Sequence, residues 1–255
     1  MPTRWRDAFD AVVDVLLPPS CAACDVVLPG PVGFCEDCAI EVLELPTVHC
    51  RRCAEPGEFP RQLCARCTAG DVPWERAWAP FEHEGSLAKA IHRFKYEDRS
   101  DLARPLGLLL AATAKEALAS MPGALVPLPL HEARFRERKF DQAGLLAAVL
   151  SERLQRPVEA GWLSRTRDTR RQVGLAEAER EANVRGAFVA TNAVRGRELV
   201  LVDDVLTSGA TAREAVRALL AAGAARVFVL TLARARSVLR SGEGDVAFRL
   251  PEVSR

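Results

Sequence analysis

Four C-x-x-C pairs, Cys21/Cys24, Cys35/Cys38, Cys50/Cys53 and Cys64/Cys67, hold all eight cysteines of this 255-residue chain. Ten residues separate the first two pairs, eleven the middle two and ten the last two. One C-x-x-C knuckle supplies two thiolates from a single turn, and two knuckles on a short hairpin complete a tetrahedral zinc site. Eight cysteines therefore make two sites, and the repeated spacing points to two similar ribbons. The simplest ligation is sequential: Cys21, Cys24, Cys35 and Cys38 on one metal, and Cys50, Cys53, Cys64 and Cys67 on the other. Interleaved pairs remain the alternative. Closed four-cysteine sites have no open coordination position, so both zincs are expected to be structural. With eight thiolates at hand, His49 is read as a neighbour of the site and not a ligand.

A disulfide framework would need an exported chain. The N-terminus, "MPTRWRDAFDAVVDVLLPPSC", argues against export, because Asp7, Asp10 and Asp14 interrupt what should be an apolar core. Trp5, Phe9, Val12, Val13 and Leu16 instead share one face of a short amphipathic helix. Such a helix serves as a packing element, or as a contact for a partner or for a membrane surface. No run approaches the ~18 apolar residues of a membrane span. The expected location is the cytoplasm. Net charge is +1, so no global field attracts nucleic acid or anionic lipid, and anion binding must come from a local patch.

The cysteine block divides the chain. Residues 1–20 are read as the N-terminal helix, 21–67 as a double zinc ribbon, 68–77 as a linker punctuated by Gly70 and Pro73, and 78–255 as the main body. In that body, Trp78 to Glu82 reads as a strand, and "SLAKAIHRFKY" as a helix with Ser86 as N-cap. "SDLARPLGLLLAATAKEAL" reads as a helix starting near Ser100, "ALVPLPL" as a strand, and "DQAGLLAAVLSERL" as a helix. "ELVLVDD" and "RVFVLTLA" read as buried strands flanking the helix "TAREAVRALLAAGA", whose C-cap is expected at Gly223. Buried strands alternating with helices imply an α/β fold, a mostly parallel sheet with helices on both faces.

The stretch "LVLVDDVLTSGATAREAV" places two carboxylates, Asp203 and Asp204, at the end of a strand and before a glycine loop. Strand, tight loop and helix is the geometry that points backbone N–H groups at an anion. Thr207, Ser208 and Thr211 add hydroxyl donors, and Gly209 permits close approach or a positive φ. The loop lacks the lysine of a Walker motif and the spacing of a dinucleotide fingerprint. Ionised carboxylates accept hydrogen bonds, so the acid pair suits a ligand that offers two hydroxyls beside a phosphate. A ribose 5-phosphate has that shape, and a divalent cation near the diol would relieve the repulsion between the carboxylates.

"LVLVDDVLTSGAT" resembles the phosphoribosyl-pyrophosphate (PRPP) motif of type I phosphoribosyltransferases. The resemblance implies that Asp203 and Asp204, at the reaction centre, hold the ribose hydroxyls with Mg²⁺ nearby. It also implies that Leu206, Thr207, Ser208, Gly209, Ala210 and Thr211 surround the 5-phosphate. The basic run "HEARFRERKFDQ", read as a loop, would bring Arg134, Arg138 and Lys139 to the pyrophosphate, with Lys95 of "RFKY" as a further phosphate contact. Knuckles, "IHRFKYEDR", "VPLPLHEARFRERKFDQAGLLA", "RTRDTRRQVGLAEAEREANVRGAF" and "VDDVLTSGAT", in that order, resemble the ComF family, phosphoribosyltransferase-like proteins tied to DNA uptake in bacterial competence. That family usually reads R-E-R-G-F-N-Q where this chain has "RERKFDQ", so Lys139 replaces a glycine and Asp141 an asparagine. Arg165, Arg167, Arg170, Arg171 and Gln172 fall in the segment that would form the acceptor-selecting hood.

Two functions are compatible with these features. One is pentosyl transfer from PRPP with Mg²⁺, or use of PRPP as a ligand. The other is a non-catalytic adaptor whose ribbons and arginines contact single-stranded DNA or competence proteins, with a regulatory or vestigial PRPP pocket.

Overall fold

A computed structural model describes residues 19–30, 33–168 and 177–236. The N-terminal helix expectation and Arg170, Arg171 and Gln172 lie outside the described residues. In the cysteine block, each second knuckle opens a short helix, α1 (Glu36–Ile40) and α2 (Ala65–Thr68). The expected strand at 78–82 is two short strands, β1 (Ala77–Trp78) and β2 (Phe81–Glu82). Pro80 lies between them and cannot donate to the ladder. Helix α3 (Gly85–Tyr96) follows, and its N-cap is Glu84, not Ser86. The Ser86 hydroxyl is already committed, donating to Glu41 at 2.7 Å. A single turn at Ser100–Leu102 leads into α4 (Ala103–Ala119), with Pro105 in the first turn where its missing N–H costs nothing.

Strand β3 (Ala124–Pro127) comes next. The basic run after it is a helix, α5 (Glu132–Arg138), which corrects the loop reading. Its start is capped by His131, whose Nδ1 accepts from the Ala133 amide. Helix α6 (Gln142–Leu154), the antiparallel pair β4 (Leu163–Arg165) and β5 (Phe188–Ala190), and helix α7 (Glu177–Val184) complete the middle of the chain. Strand β6 (Glu198–Leu206), helix α8 (Ala210–Ala221) and strand β7 (Arg226–Arg234) end the described body.

The main sheet runs β1/β2–β7–β6–β3 and every pairing is parallel. Two cores flank it. On one face Leu125, Val200, Val202, Phe228 and Leu230 pack with Leu87, Ile91 and Phe94 of α3, Leu106 and Leu110 of α4, and Leu146 and Leu150 of α6. On the other, Leu199, Leu201, Val227 and Val229 pack with Ala212, Ala215, Val216 and Leu219 of α8. Each ribbon enters a different core: Ala22 joins the first, while Cys50, Cys53, Cys64 and Cys67 join the second. The stretch 68–77 is packed as well, with Val72 and Trp74 buried in that second core. Among the described residues no helix is long and apolar enough to cross a membrane.

Candidate functional site

The thiols fall into the two groups that sequential ligation demands. The Sγ atoms of Cys21, Cys24, Cys35 and Cys38 all lie within 4.8 Å of one another, and so do those of Cys50, Cys53, Cys64 and Cys67. Tetrahedral zinc with Zn–S near 2.3 Å needs sulfurs about 3.8 Å apart. The Cys24–Cys35 and Cys53–Cys64 sulfurs are 3.7 and 3.6 Å apart. The residues therefore fit the metal, and the interleaved arrangement does not apply. The Cys64 amide lies 3.4 Å from Cys50 Sγ, a donor that favours a thiolate there. Crowding without a cation is unfavourable: the Cys50 thiol beside it pushes the Cys53 thiol up to about 12. Metal ligation removes that conflict by taking all four as thiolates.

The acid pair lies in β6, as the strand reading of "ELVLVDD" expects, and the strand runs two residues further, to Leu206. β3 pairs with β6 only as far as Val202, whereas β7 continues alongside to Leu206. Asp203 and Asp204 therefore begin where β3 has ended, at the carboxyl edge where open parallel sheets take ligands. Successive strand residues point to opposite faces. Asp204 is buried and meets Lys95 Nζ from the end of α3 at 2.7 Å. Burial and then the Asp204 carboxylate push Asp203 up to about 8. The same edge carries Asp141, which burial and the Asp204 charge push up to about 6 against the opposing pull of the Gly144 and Ala143 amides. It also carries His83, which burial and then Lys95 push down to about 4. His83 escaped the sequence reading because it reaches the pair only through the pairing of β2 with β7.

The loop after β6 is short. Gly209 is the N-cap of α8 with φ +77°, where a side chain would be strained, and a Cβ there would stand 3.1 Å from the Trp74 ring. Thr207 is exposed, Ser208 and Thr211 are half-buried, and Leu206, Gly209 and Ala210 are buried. The Ser208 hydroxyl accepts from the Ala210 amide at 3.4 Å.

Helical geometry sorts the basic residues of α5. Arg134 and Arg138 are four apart and share a face, while Arg136 pairs outward with Glu132. Burial and the nearby Arg138 charge lower Arg134. Arg138 donates to Gln142 at 3.0 Å and lies 5.0 Å over the Tyr96 ring. Arg165, at the end of β4, joins them. Burial and then Arg134 bring it down to about 10, while Asp168 and Asp203 oppose that shift. Arg165 thus feels both the Asp203 charge and those of Arg134 and Arg138. Arg165 belongs to the segment read as a hood, and the Asp203 charge acting on it brings that segment to the acid pair.

Lys139 goes elsewhere. Its amine pairs with Asp98, and its backbone takes φ +66° at the C-cap of α5. That is the left-handed conformation a glycine adopts without cost, whereas other residues lose about 1–2 kcal/mol. The exposed ion pair returns at most about 1 kcal/mol. Lys139→Gly should therefore raise stability by about 0.5–1 kcal/mol in a urea titration; a loss of stability would show that the Asp98 contact outweighs the strain.

Residues 12–69 match the model of the double zinc ribbon domain, and residues 144–245 that of the phosphoribosyl transferase domain. The chain is 33 % identical over 223 residues to DNA utilization protein YhgH of Escherichia coli (strain K12), covering 86 % of this chain and 98 % of that one. It is 30 % identical over 210 residues to competence protein F of Haemophilus influenzae, covering 80 % and 91 %. Competence protein ComFC of Bacillus subtilis (strain 168) is 28 % identical over 155 residues, covering 60 % and 62 %. Two four-thiol centres ahead of a parallel sheet with an acid pair at its carboxyl edge, in a chain matched along nearly the whole of the Escherichia coli and Haemophilus influenzae relatives, place it in the ComF family.

Proposed function

We propose that the chain binds PRPP as its Mg²⁺ complex at the carboxyl edge of β6 and serves DNA uptake or utilization, as the names of its relatives suggest. The supporting observation is the joint placement of Asp203–Asp204, the loop 206–211 and the Arg134/Arg138/Arg165 group around one edge. Asp203 and Asp204 accept from the ribose hydroxyls, and Lys95 holds Asp204 in place. The loop amides and hydroxyls of Thr207, Ser208 and Thr211 take the 5-phosphate. Arg134 and Arg138 face the pyrophosphate, and Arg165 completes that wall. Mg²⁺ bound with the pyrophosphate would screen its charge from the carboxylates of Asp203 and Asp204. In a transfer, an acceptor nucleophile bonds to C1 of the ribose as the bond from C1 to the pyrophosphate oxygen breaks, pyrophosphate leaves, and the guanidinium groups stabilise the charge that develops on it.

The test is calorimetric titration of Mg²⁺–PRPP into wild type and into Asp203→Asn/Asp204→Asn. Two lost hydroxyl contacts to charged acceptors predict at least about 30-fold weaker binding. A wild type that binds no PRPP, or a variant that binds it equally well, overturns the reading. A second arm is pH. The ligand-free Asp203 holds its proton up to about pH 8, and the complex needs the carboxylate. Binding should therefore release a proton and tighten as pH rises from about 6 to 8, then level off. The Asn variant should lose that slope.

A further inference from the structure

The carbonyls of the phosphate loop are all claimed from behind. Arg234 Nη1 donates to Leu206 O at 2.8 Å and to Thr207 O at 2.6 Å. Ser208 O accepts from Arg66 Nη1 at 2.7 Å and from Arg213 Nη1 at 2.9 Å. In a trans peptide the carbonyl of one residue and the N–H of the next point to opposite sides. Fixing these three carbonyls therefore turns the amides of Thr207, Ser208 and Gly209 away from the guanidinium groups.

Two of those three arginines are tied to the second zinc ribbon. Arg66 sits inside its last knuckle, between Cys64 and Cys67. Arg234 comes from the end of β7 and is 2 % exposed; it pairs with the buried Glu55 and donates to Cys53 O at 3.3 Å. The Trp74 ring under Gly209 is locked to the same ribbon, because Trp74 Nε1 donates to Arg52 O at 2.9 Å and Arg52 Nε donates back to Trp74 O at 3.0 Å.

We propose that the second zinc ribbon is the positioning element of the phosphate loop: through Arg66, Glu55–Arg234 and Trp74 it sets the direction of the loop amides, so that metal binding at Cys50, Cys53, Cys64 and Cys67 and phosphate binding at residues 206–211 favour each other. The inference rests on the phosphate reading of the loop for its second half only. Arg66 is a positioning residue, since it touches the loop's carbonyl side. Coupling of this kind is reciprocal. A phosphate on the loop stabilises the ribbon by as much as the ribbon stabilises the phosphate.

The test uses full-length, zinc-loaded protein and three variants at position 66, with ribose 5-phosphate as the probe. Amide hydrogen exchange is read by mass spectrometry over two segments, 205–214 and 50–68. Arg66→Ala should keep both zincs yet exchange about fivefold faster across 205–214 without ligand, and bind ribose 5-phosphate about tenfold more weakly. Arg66→Lys retains a donor and should recover most of both effects, which a general loss of stability would not allow. Arg66→Gln serves if the alanine variant does not fold. In wild type, ribose 5-phosphate should slow exchange across 50–68, and Arg66→Ala should abolish that protection. Exchange in 205–214 that ignores all three substitutions overturns the brace. Faster exchange in a protein whose wild type binds no ribose 5-phosphate supports the brace and overturns the phosphate reading instead.

Discussion

Replacing Cys50 and Cys53 by serine should lower the metal content from two zincs to one per chain and destabilise the sheet itself, not only the ribbon. The four thiols of this centre are all buried, in the same core as Val227, Val229 and α8. A structural zinc site in a small peptide contributes about 10–16 kcal/mol at neutral pH, more than the ~5–15 kcal/mol by which a domain is stable. Part of that is recovered by the rest of the body, so the expected result is a melting transition lower by at least ~15 °C or a chain that does not accumulate. The equivalent change at Cys21 and Cys24 should cost less, because Cys21 is the only buried ligand of that group. The two double variants, compared by melting and by metal analysis, decide the matter. Equal losses would mean that the second ribbon's burial adds nothing.

The other large effect is at Gly123, which leads into β3 with φ +105°. A Cβ there would stand 1.7 Å from the Glu198 carbonyl oxygen and 2.9 Å from the Leu199 amide nitrogen, both backbone atoms that cannot rotate aside. Gly123→Ala therefore forces β3 away from the start of β6. Unfavourable φ costs about 1–3 kcal/mol and overpacking a similar amount, so a loss of about 3–5 kcal/mol is expected. For a chain of this size that is a fall of roughly 10 °C. Because β3 ends just below the acid pair, the survivors of this change should also bind PRPP more weakly. A melting temperature within about 2 °C of wild type would show that the edge yields at no cost.

The parts of this molecule that sequence could reveal are those written in local spacing. Four C-x-x-C pairs at near-equal intervals identified two metal centres, and the run from Leu199 to Val216 identified strand, loop and helix. The same spacing puts the acid pair in the strand; that the strand continues to Leu206 is decided by its pairing with β7, which no local window shows. The basic run around Arg134 reads as a loop because seven residues of mixed charge carry little helical signal. Yet its helix decides which arginines face the site and which, like Arg136, face solvent. His83, Arg66 and Arg234 carry no site signal in the sequence, and Arg165 is legible only as part of the hood segment, for one common reason. Each reaches the loop or the acid pair through strand pairing or tertiary packing, at separations that no window along the chain can see. The replacement of a glycine by Lys139 was legible in the opposite way: a sequence departure at a position where the backbone still takes φ +66°.

Those separations also order the assembly of the molecule. Arg66 reaches Ser208 across 142 residues and Glu55 reaches Arg234 across 179. Contacts so distant in the chain close late, after local turns and hairpins have formed. The ribbons leave the ribosome ahead of the sheet and can take up metal early, but the Leu206 and Thr207 carbonyls of the cradle have no arginine anchor until β7, the last described element, supplies Arg234. A truncated or half-synthesised chain would thus carry its zinc without a finished pocket, and ligand capture would begin only with a completed polypeptide.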